Sequence, residues 1–370
     1  MQENLSVPCF PNSNLFFVRE ITKYLYNSHR YLYRYVLLYT QKIAITLVTL
    51  MPMKLTMKDP YSKTRILSPK IRGYIDLLRP FTLMAPIFVS LFIMLASFVY
   101  NDAYLAEDFD PWRDAIVMMQ ASLTLALLNA ASNALNQATD IESDTISKPY
   151  RPIPRGIVQP DEAQSLAFIF YLFVLLRAVT INEWFGIFVF FIMIFTVTYS
   201  LPPRIKKYLF LNQVWIALPR GLFGVLASWS VFGNPFDSEP LIIGLIAFVF
   251  FVGSMTSKDI VDRFADKQTG TRTLINTYGL KKASFISFPF LIGPFISIPL
   301  LINYNLLKSY LWPLILFILP SFLVFYLMLT HEESKSLENV KAWVLMYVEY
   351  LVFAITFTTL IIAGELGLFL

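Results

Sequence analysis

One short stretch of the sequence places oxygen-bearing side chains four residues apart directly behind an apolar run. The stretch "NQATDIESDTISKPYRPIPRG" (136–156) contains Asn136, Asp140 and Asp144. On a helix that continues from the apolar run, these three side chains would project from one face. Carboxylates at this spacing repel each other unless a cation lies between them, and hard oxygen ligands suit Mg²⁺. The pattern therefore predicts a magnesium site.

A second stretch, "SKDIVDRFADKQTGTRTL", repeats the arrangement behind another apolar run. It offers Asp259, Asp262 and Asp266, and the last two are again four residues apart. Charges at a membrane boundary are usually solvated loop residues, and this is the alternative for either stretch alone. Two such sets favour a functional site, because ionisable groups near the membrane interior are costly. We expect the two sets to face a common cavity.

Basic residues accompany both aspartate sets. A diphosphate bound through metal ions still needs positive side chains to neutralise its remaining charge. The candidates for this clamp are Lys148, Arg151, Arg155, Lys258, Lys267 and Arg272. Together the two stretches predict a site for an organic diphosphate whose apolar tail lies between helices.

The composition identifies the elements that must position this site. Of the 370 residues, 56% are hydrophobic and only 15% are charged, which indicates a polytopic all-α membrane protein. Runs of roughly 20 apolar residues are long enough to cross a bilayer as helices. They predict a bundle of about nine transmembrane helices, at 80–99, 114–135, 164–182, 184–202, 213–232, 241–257, 284–303, 310–329 and 343–369.

The distribution of Lys and Arg predicts the orientation of these spans. Basic residues precede the first span and fill the connections after the second, fourth and sixth, whereas the other connections are acidic or nearly uncharged. Because basic residues remain on the cytoplasmic side, the N-terminus is expected inside, in a multi-pass protein of the cell membrane. Both aspartate sets then face the cytoplasm. The net charge of +5 is mostly this topology signal and implies no nucleic acid.

The chain divides into two parts of different composition. Residues 1–70 form a basic, tyrosine-rich extension that we expect to be cytoplasmic or interfacial, and residues 71–370 form the membrane domain. Translation starting at Met51, Met53 or Met57 is an alternative. The single cysteine, Cys9, excludes an internal disulfide.

The two aspartate stretches, together with "LRPFTL" and "YSLPPRIKK", resemble the motifs of the UbiA superfamily of intramembrane prenyltransferases. The resemblance covers about residues 70–370. It implies a nine-helix bundle with a cap of cytoplasmic loops over the active site. It also implies Mg²⁺-dependent transfer of a polyprenyl group from prenyl diphosphate to a lipophilic acceptor, with release of diphosphate. Membrane lipids surround such an enzyme, and no obligatory protein partner is evident.

The resemblance also implies roles for individual residues. The expected metal ligands are Asn136, Asp140, Asp144, Asp259, Asp262 and Asp266. The expected diphosphate-binding residues are Arg79, Asn136, Lys148, Arg151, Lys258, Lys267 and Arg272. The expected catalytic residues are Tyr199, Lys148 and Arg151, where Tyr199 would lie near the reacting carbon as a cation–π partner. Two positions depart from the family pattern: Gln137 stands where many members have Asp, and Ala265 replaces a common glycine.

The acceptor is less well defined by these motifs. "KPYRPIPRG" is similar to motifs in enzymes that prenylate archaeal glycerol phosphate lipids and in chlorophyll synthases, and the second stretch favours the archaeal-lipid type, with geranylgeranylglyceryl phosphate as acceptor. Prenylation of an aromatic quinone precursor and esterification of a chlorophyllide-type alcohol are the alternatives. A polytopic transporter is the non-enzyme alternative, although transporters usually place polar residues near the bilayer midplane. A magnesium-dependent phosphatidyl-alcohol transferase would need an Asp-Gly…Ala-Arg signature, which this sequence lacks.

Overall fold

A computed structural model of the chain describes residues 68–331 and 340–368. The N-terminal extension predicted for residues 1–70 therefore lies almost entirely outside the described residues. Within the two described ranges the regular structure is helical and contains no strand. The α-helices are α1 Pro69–Leu78, α2 Met84–Tyr100, α3 Pro111–Thr139, α4 Ile141–Ser147, α5 Pro160–Val179, α6 Glu183–Ser200, α7 Leu211–Ala217, α8 Gly224–Trp229, α9 Ser238–Ser254, α10 Asp259–Gln268, α11 Leu274–Tyr278, α12 Leu280–Ile296, α13 Ile298–Asn303, α14 Ile318–Leu329 and α15 Lys341–Glu365.

Eight helical stretches in the described ranges are long and apolar enough to cross a membrane. They are Pro69–Tyr100, Pro111–Thr139, Pro160–Val179, Glu183–Ser200, Ser238–Ser257, Leu280–Asn303, Ser309–Leu329 and Lys341–Glu365. Each corresponds to one of the predicted spans. The remaining predicted span, 213–232, the fifth in chain order, is instead built from α7, a π-helical segment and α8. The prediction of a multi-pass bundle of about nine helices is confirmed.

The interrupted span owes its shape to polar and helix-breaking residues inside an apolar run. The π-helical segment Leu218–Phe223 contains Pro219, which lacks the amide hydrogen that a regular helix would use. Gly221 allows the segment to pack directly against α9, because a Cβ at this position would lie 2.4 Å from the backbone nitrogen of Phe248. The segment is thus fixed against its neighbour.

Two hydrophobic clusters hold the bundle together. One joins α2, α9, α12, α14 and α15, and the other joins α3, α5, α6 and α8. Helix α15 packs along α2, so the last span of the chain closes against the first. Burial of apolar surface does not drive helix association inside lipid, where close packing takes its place. The fully buried Trp229, Phe250 and Phe295 supply such packing.

Helix α3 carries amide side chains that fasten the end of α1. The Nδ2 atom of Asn133 donates to the carbonyl of Leu78 over 3.0 Å, and the Nε2 atom of Gln137 donates to the carbonyl of Leu77 over 2.6 Å. These carbonyls belong to the last turn of α1 and have no partner within the helix. Gln137 is 1% exposed, so its amide serves this contact. The residue that departs from the family pattern therefore has a structural role.

The end of α1 presents Arg79 at the start of the next turn. Arg79 has a left-handed backbone conformation with φ 54°, and its carbonyl accepts a hydrogen bond from the Thr82 hydroxyl over 2.9 Å. The carbonyl of Thr82 in turn accepts from the Asn129 amide over 3.1 Å and from the Tyr347 hydroxyl over 2.7 Å. Contacts from α3 and α15 thus fix the position of the Arg79 backbone at the mouth of the bundle.

Candidate active site

The first aspartate stretch does not form one continuous helix. Helix α3 ends at Thr139, and Asp140, with φ −106° and ψ 24°, lies at the break before α4. The expectation of a single helix through Asn136, Asp140 and Asp144 is therefore wrong. The chain re-forms a helical turn at once, because the Asp144 amide donates to the Asp140 carbonyl over 2.8 Å. All three side chains still line one polar cavity.

The second aspartate stretch lines the same cavity. Asp259, Asp262 and Asp266 lie on α10, which packs against α4. The structure therefore brings the two stretches together across a common space, as their repeated pattern predicts. The transporter alternative is disfavoured, since these carboxylates cluster at one end of the bundle and not at its middle.

Two ion pairs link the carboxylates to basic residues that follow α4. The ammonium group of Lys148 pairs with Asp262, which joins the first stretch to the second. The guanidinium group of Arg151 holds both carboxylate oxygens of Asp144, at 2.9 and 2.7 Å. Lys148, Arg151 and Asp144 are each at most 6% exposed. Burial raises the pKa of Asp144, and the neighbouring Arg151 opposes that rise.

A third ionic contact comes from the loop after α6, within the stretch "YSLPPRIKK". Asp140 pairs with Lys206 and accepts a hydrogen bond from Arg204 over 3.0 Å. The ammonium group of Lys206 also lies 3.4 Å from the amide oxygen of Asn136. Burial lowers the pKa of Lys206, and Asp140 counteracts this. The "PPRIKK" motif is the sequence signal for both basic residues.

Tyr199 and Lys258 meet where the polar cavity borders the interior of the bundle. The Lys258 ammonium donates to the Tyr199 hydroxyl over 3.1 Å and lies 5.4 Å from the centre of the ring. Burial disfavours the charge of Lys258, but the interaction with Tyr199 and Asp259 outweighs it and raises the pKa of Lys258. The lysine therefore remains a cation beside an aromatic face.

A second cavity, mostly apolar, extends from this border into the bundle. Its wall includes Leu125, Leu128, Ile192, Phe195, Trp215 and Phe251. The two cavities share Arg79, Asn136, Tyr199, Arg220 and Lys258 in their walls. A charged head group and an apolar chain of one molecule therefore have adjoining places in this protein.

Residues 90–348 match the UbiA prenyltransferase family. The chain belongs to this family. Its curated relatives include the digeranylgeranylglyceryl phosphate synthase of Methanosphaera stadtmanae, which is 26% identical over 275 residues, covering 73% of this chain and 93% of the relative. The enzyme of the same name from Sulfurisphaera tokodaii is 26% identical over 236 residues, covering 63% of this chain and 82% of that protein.

Solved structures show the same fold. A UbiA homologue from Archaeoglobus fulgidus bound to DMAPP and Mg²⁺ superposes with a TM-score of 0.61 at 18% identity, covering 79% of this chain and 99% of that chain. A digeranylgeranylglyceryl phosphate synthase structure gives a TM-score of 0.55 at 21% identity, covering 80% and 99% of the two chains. This UbiA prenyltransferase is thus an integral membrane enzyme with the fold of its family.

The carboxylates of this UbiA prenyltransferase suit a divalent cation that arrives with a ligand of its own. Within 68–331 and 340–368, no three His, Cys, Asp or Glu side chains are close enough to hold a metal by themselves. Yet the Oδ2 atom of Asp259 is buried without a hydrogen-bond partner. Mg²⁺ commonly binds to one or two carboxylates and completes its shell with water and phosphate oxygens. The residues therefore fit a metal bound jointly with a diphosphate.

The aspartates on α10 are crowded, and their protonation reflects it. Burial raises the pKa of Asp259 to about 7. Burial, together with the charges of Asp259 and Asp262, raises the pKa of Asp266 to about 8. Burial also acts on Asp262, but its ion pair with Lys148 dominates and lowers its pKa to about 2. The helix therefore brings together carboxylates whose negative charge must be offset by a proton or by a bound cation.

Some residues expected in the UbiA diphosphate site lie elsewhere. Arg155, Lys267 and Arg272 are exposed and are absent from the wall of the polar cavity. Their predicted contribution to the clamp gains no support from this placement. Arg220, by contrast, was not predicted and lies in the walls of both cavities. Its sequence signal is an arginine in the middle of an apolar span.

Proposed function

We propose that this prenyltransferase transfers a polyprenyl group from its diphosphate to the hydroxyl group of a glycerol phosphate ether lipid, geranylgeranylglyceryl phosphate. The observation that carries the proposal is the junction of a charged cavity with an apolar one at Tyr199 and Lys258. The names of the curated relatives support the acceptor. The allylic C–O bond of the donor breaks and an ether bond forms to the acceptor oxygen. The hydroxyl proton of the acceptor passes to the released diphosphate or to solvent.

Mg²⁺ is the cofactor in this proposal. Asn136, Asp140 and Asp144 on one side, with Asp259, Asp262 and Asp266 on the other, are the residues that would hold it together with the diphosphate. When bound, the metal stabilises the negative charge that develops on the leaving diphosphate. The orphaned Asp259 oxygen and the raised pKa of Asp266 support this assignment.

The protein's own cations and aromatic rings complete the site. Lys148, Arg151, Arg79 and Lys258 would contact the diphosphate, and charge stabilisation that is stronger in the transition state than in the ground state accelerates bond cleavage. The face of Tyr199 would stabilise the allylic cation, and the apolar wall would exclude the water that otherwise quenches it. The Lys258 hydrogen bond fixes the tyrosine for this purpose.

The orientation of the bundle is part of the same proposal. The aspartate stretches follow α3 and α9 at ends that carry excess Lys and Arg, which supports a cytoplasmic polar cavity and a cytoplasmic N-terminus. In a Cys9→Ser background, a cysteine introduced at Ser143 should react with an impermeant reagent only from the cytoplasmic side of oriented vesicles, and one introduced at Asp108 only from the other side. Labelling from the same side would contradict the orientation.

Purified protein in detergent or nanodiscs provides the direct test of function. With Mg²⁺ and geranylgeranyl diphosphate, we expect release of diphosphate and a doubly prenylated glycerol phosphate, detected by mass spectrometry. The acceptor panel includes geranylgeranylglyceryl phosphate, homogentisate and a chlorophyllide. A product formed only from an aromatic or chlorophyllide acceptor would replace the proposed acceptor, and absence of any product would contradict the activity.

The dependence on magnesium should change with pH. Because the pKa of Asp266 is raised to about 8, this carboxyl is protonated below that pH, and its proton competes with the metal. The Mg²⁺ concentration for half-maximal activity should therefore fall by up to about tenfold per unit as the pH rises from about 6.5 to about 8. Magnesium titrations at several pH values measure this. Asp259, with a pKa of about 7, also titrates in this range, so Asp266→Asn should remove the part of the trend between about pH 7 and pH 8. A trend that this substitution leaves unchanged would refute the assignment.

A further inference from the structure

Arg220 differs from the other basic residues around the polar cavity. It lies on the π-helical segment inside the interrupted span 213–232, and it lines both cavities. Lys148, Arg151 and Lys206 each pair with a carboxylate. The guanidinium group of Arg220 forms no ion pair or hydrogen bond with any residue in the part of the chain that the structure describes.

An unpaired guanidinium at this depth is energetically costly. Charged side chains in membrane-spanning segments usually face a cavity or pair with an opposite charge, and they mark a functional path. Arg220 is partly buried and faces the cavities. The missing counter-charge is therefore expected to come from a ligand.

The surroundings of Arg220 hold its backbone in place. The Tyr350 hydroxyl donates to the Arg220 carbonyl over 3.0 Å, and the neighbouring Gly221 packs tightly against Phe248. Arg79, Arg220 and Tyr347 all line the cavity that extends into the bundle. None of these three residues lies on α4 or α10, the helices of the two aspartate stretches.

The charge balance of the cavity leaves room for a second anion. Eight basic side chains and six carboxylates from the described residues line the polar cavity. The donor diphosphate is proposed to be contacted by four other basic residues of this wall, so the charge of Arg220 remains available for a second anion. A guanidinium group is well suited to a phosphate, because its planar fork donates two parallel hydrogen bonds.

We propose that Arg220 binds the phosphate monoester of the acceptor lipid and thereby selects phosphorylated acceptors. This assignment rests on the function proposed above and adds a recognition residue to it. The position of Arg220 in both walls places the acceptor head group beside the junction at Tyr199, where the donor's reacting carbon would lie. The acceptor's own prenyl chain then lies in the apolar cavity or beside it.

The test compares Arg220→Gln with the wild type on two acceptors, geranylgeranylglyceryl phosphate and the dephosphorylated alcohol geranylgeranylglycerol. Loss of a charge-assisted contact to phosphate should raise the KM for the phosphorylated acceptor about 10- to 100-fold. The KM for geranylgeranyl diphosphate should stay within about twofold, and turnover of the neutral alcohol should be the same in both proteins. Arg220→Lys keeps the charge without the fork and should give an intermediate KM.

Arg177→Gln is the matched control, since it removes the same charge from a helix position outside both cavities. If Arg220→Gln lowers kcat/KM equally for both acceptors, the assignment is overturned and the proposed function stands. The same holds if the substitution raises only the KM for the diphosphate donor. Wild-type protein that prenylates no glycerol lipid at all would overturn the proposed function, and the phosphate assignment with it. An unchanged donor KM also shows that the variant is folded.

Discussion

Asp262→Ala is expected to reduce kcat about 10³-fold or more, and Asp140→Ala to have a similar effect. Each substitution removes a carboxylate proposed to hold the metal, and loss of one preorganised charge at a reacting centre typically costs a factor of about 10² to 10³. Removal of Asp262 also leaves the buried Lys148 without its ion-pair partner, which misplaces a second charge. Diphosphate release at saturating geranylgeranyl diphosphate measures the effect.

Asp161→Asn is the control for this experiment, because Asp161 is an exposed carboxylate at the start of α5, outside the cavity wall. It should retain activity within about twofold of the wild type, as surface substitutions usually do. Circular dichroism and a thermal melt of each variant separate lost chemistry from lost fold. If a folded Asp262→Ala protein keeps its turnover, Asp262 has no role in metal or diphosphate binding.

Leu125→Trp should reduce the length of the prenyl chain that the enzyme accepts in its donor. Leu125 lines the apolar cavity about three helical turns from Asn136, or about 16 Å along α3. A larger ring there would exclude the far end of a long prenyl chain. If about three methylenes lose their burial at about 0.8 kcal/mol each, kcat/KM for geranylgeranyl diphosphate should fall about 50-fold. Dimethylallyl diphosphate is too short to reach the new ring and should react almost normally.

Leu123→Trp offers a matched control two residues away on the same helix. Leu123 is 51% exposed at the surface of the bundle, so the same ring would point into lipid. Competition between the two donors, with products resolved by mass spectrometry, gives the selectivity of each variant directly. An unchanged donor preference in Leu125→Trp would mean that the prenyl chain does not occupy this cavity.

The sequence contained enough information to identify the carboxylates of the site but not their local geometry. Their spacing, and their positions behind two apolar spans, predicted that Asp140, Asp144, Asp262 and Asp266 would meet. It did not predict the helix break at Asp140, nor that the Asp140 side chain pairs there with Lys206 and Arg204 from a distant loop. Local spacing does not reveal which distant cation an aspartate meets.

The sequence also did not predict which residues act through contacts with the backbone. Gln137 departs from the family pattern, but only the structure shows that its amide binds the carbonyl of Leu77. Arg220 sits in a span that hydropathy alone predicts as an ordinary helix. Its placement depends on the π-helical segment and on the two cavities that Arg220 lines. Such features arise from packing between helices that are far apart in the sequence.

The adjoining cavities have a consequence for how a lipid reaches the enzyme. The polar cavity lies at one end of the helices and the apolar cavity extends from it into the bundle. A bound amphiphile therefore keeps the head-to-tail orientation that it has in the leaflet. Lifting a long isoprenoid into water would cost about 0.8 kcal/mol for each methylene. Sideways diffusion within the bilayer avoids that barrier, and the membrane itself thereby acts as the reservoir from which both reactants are drawn.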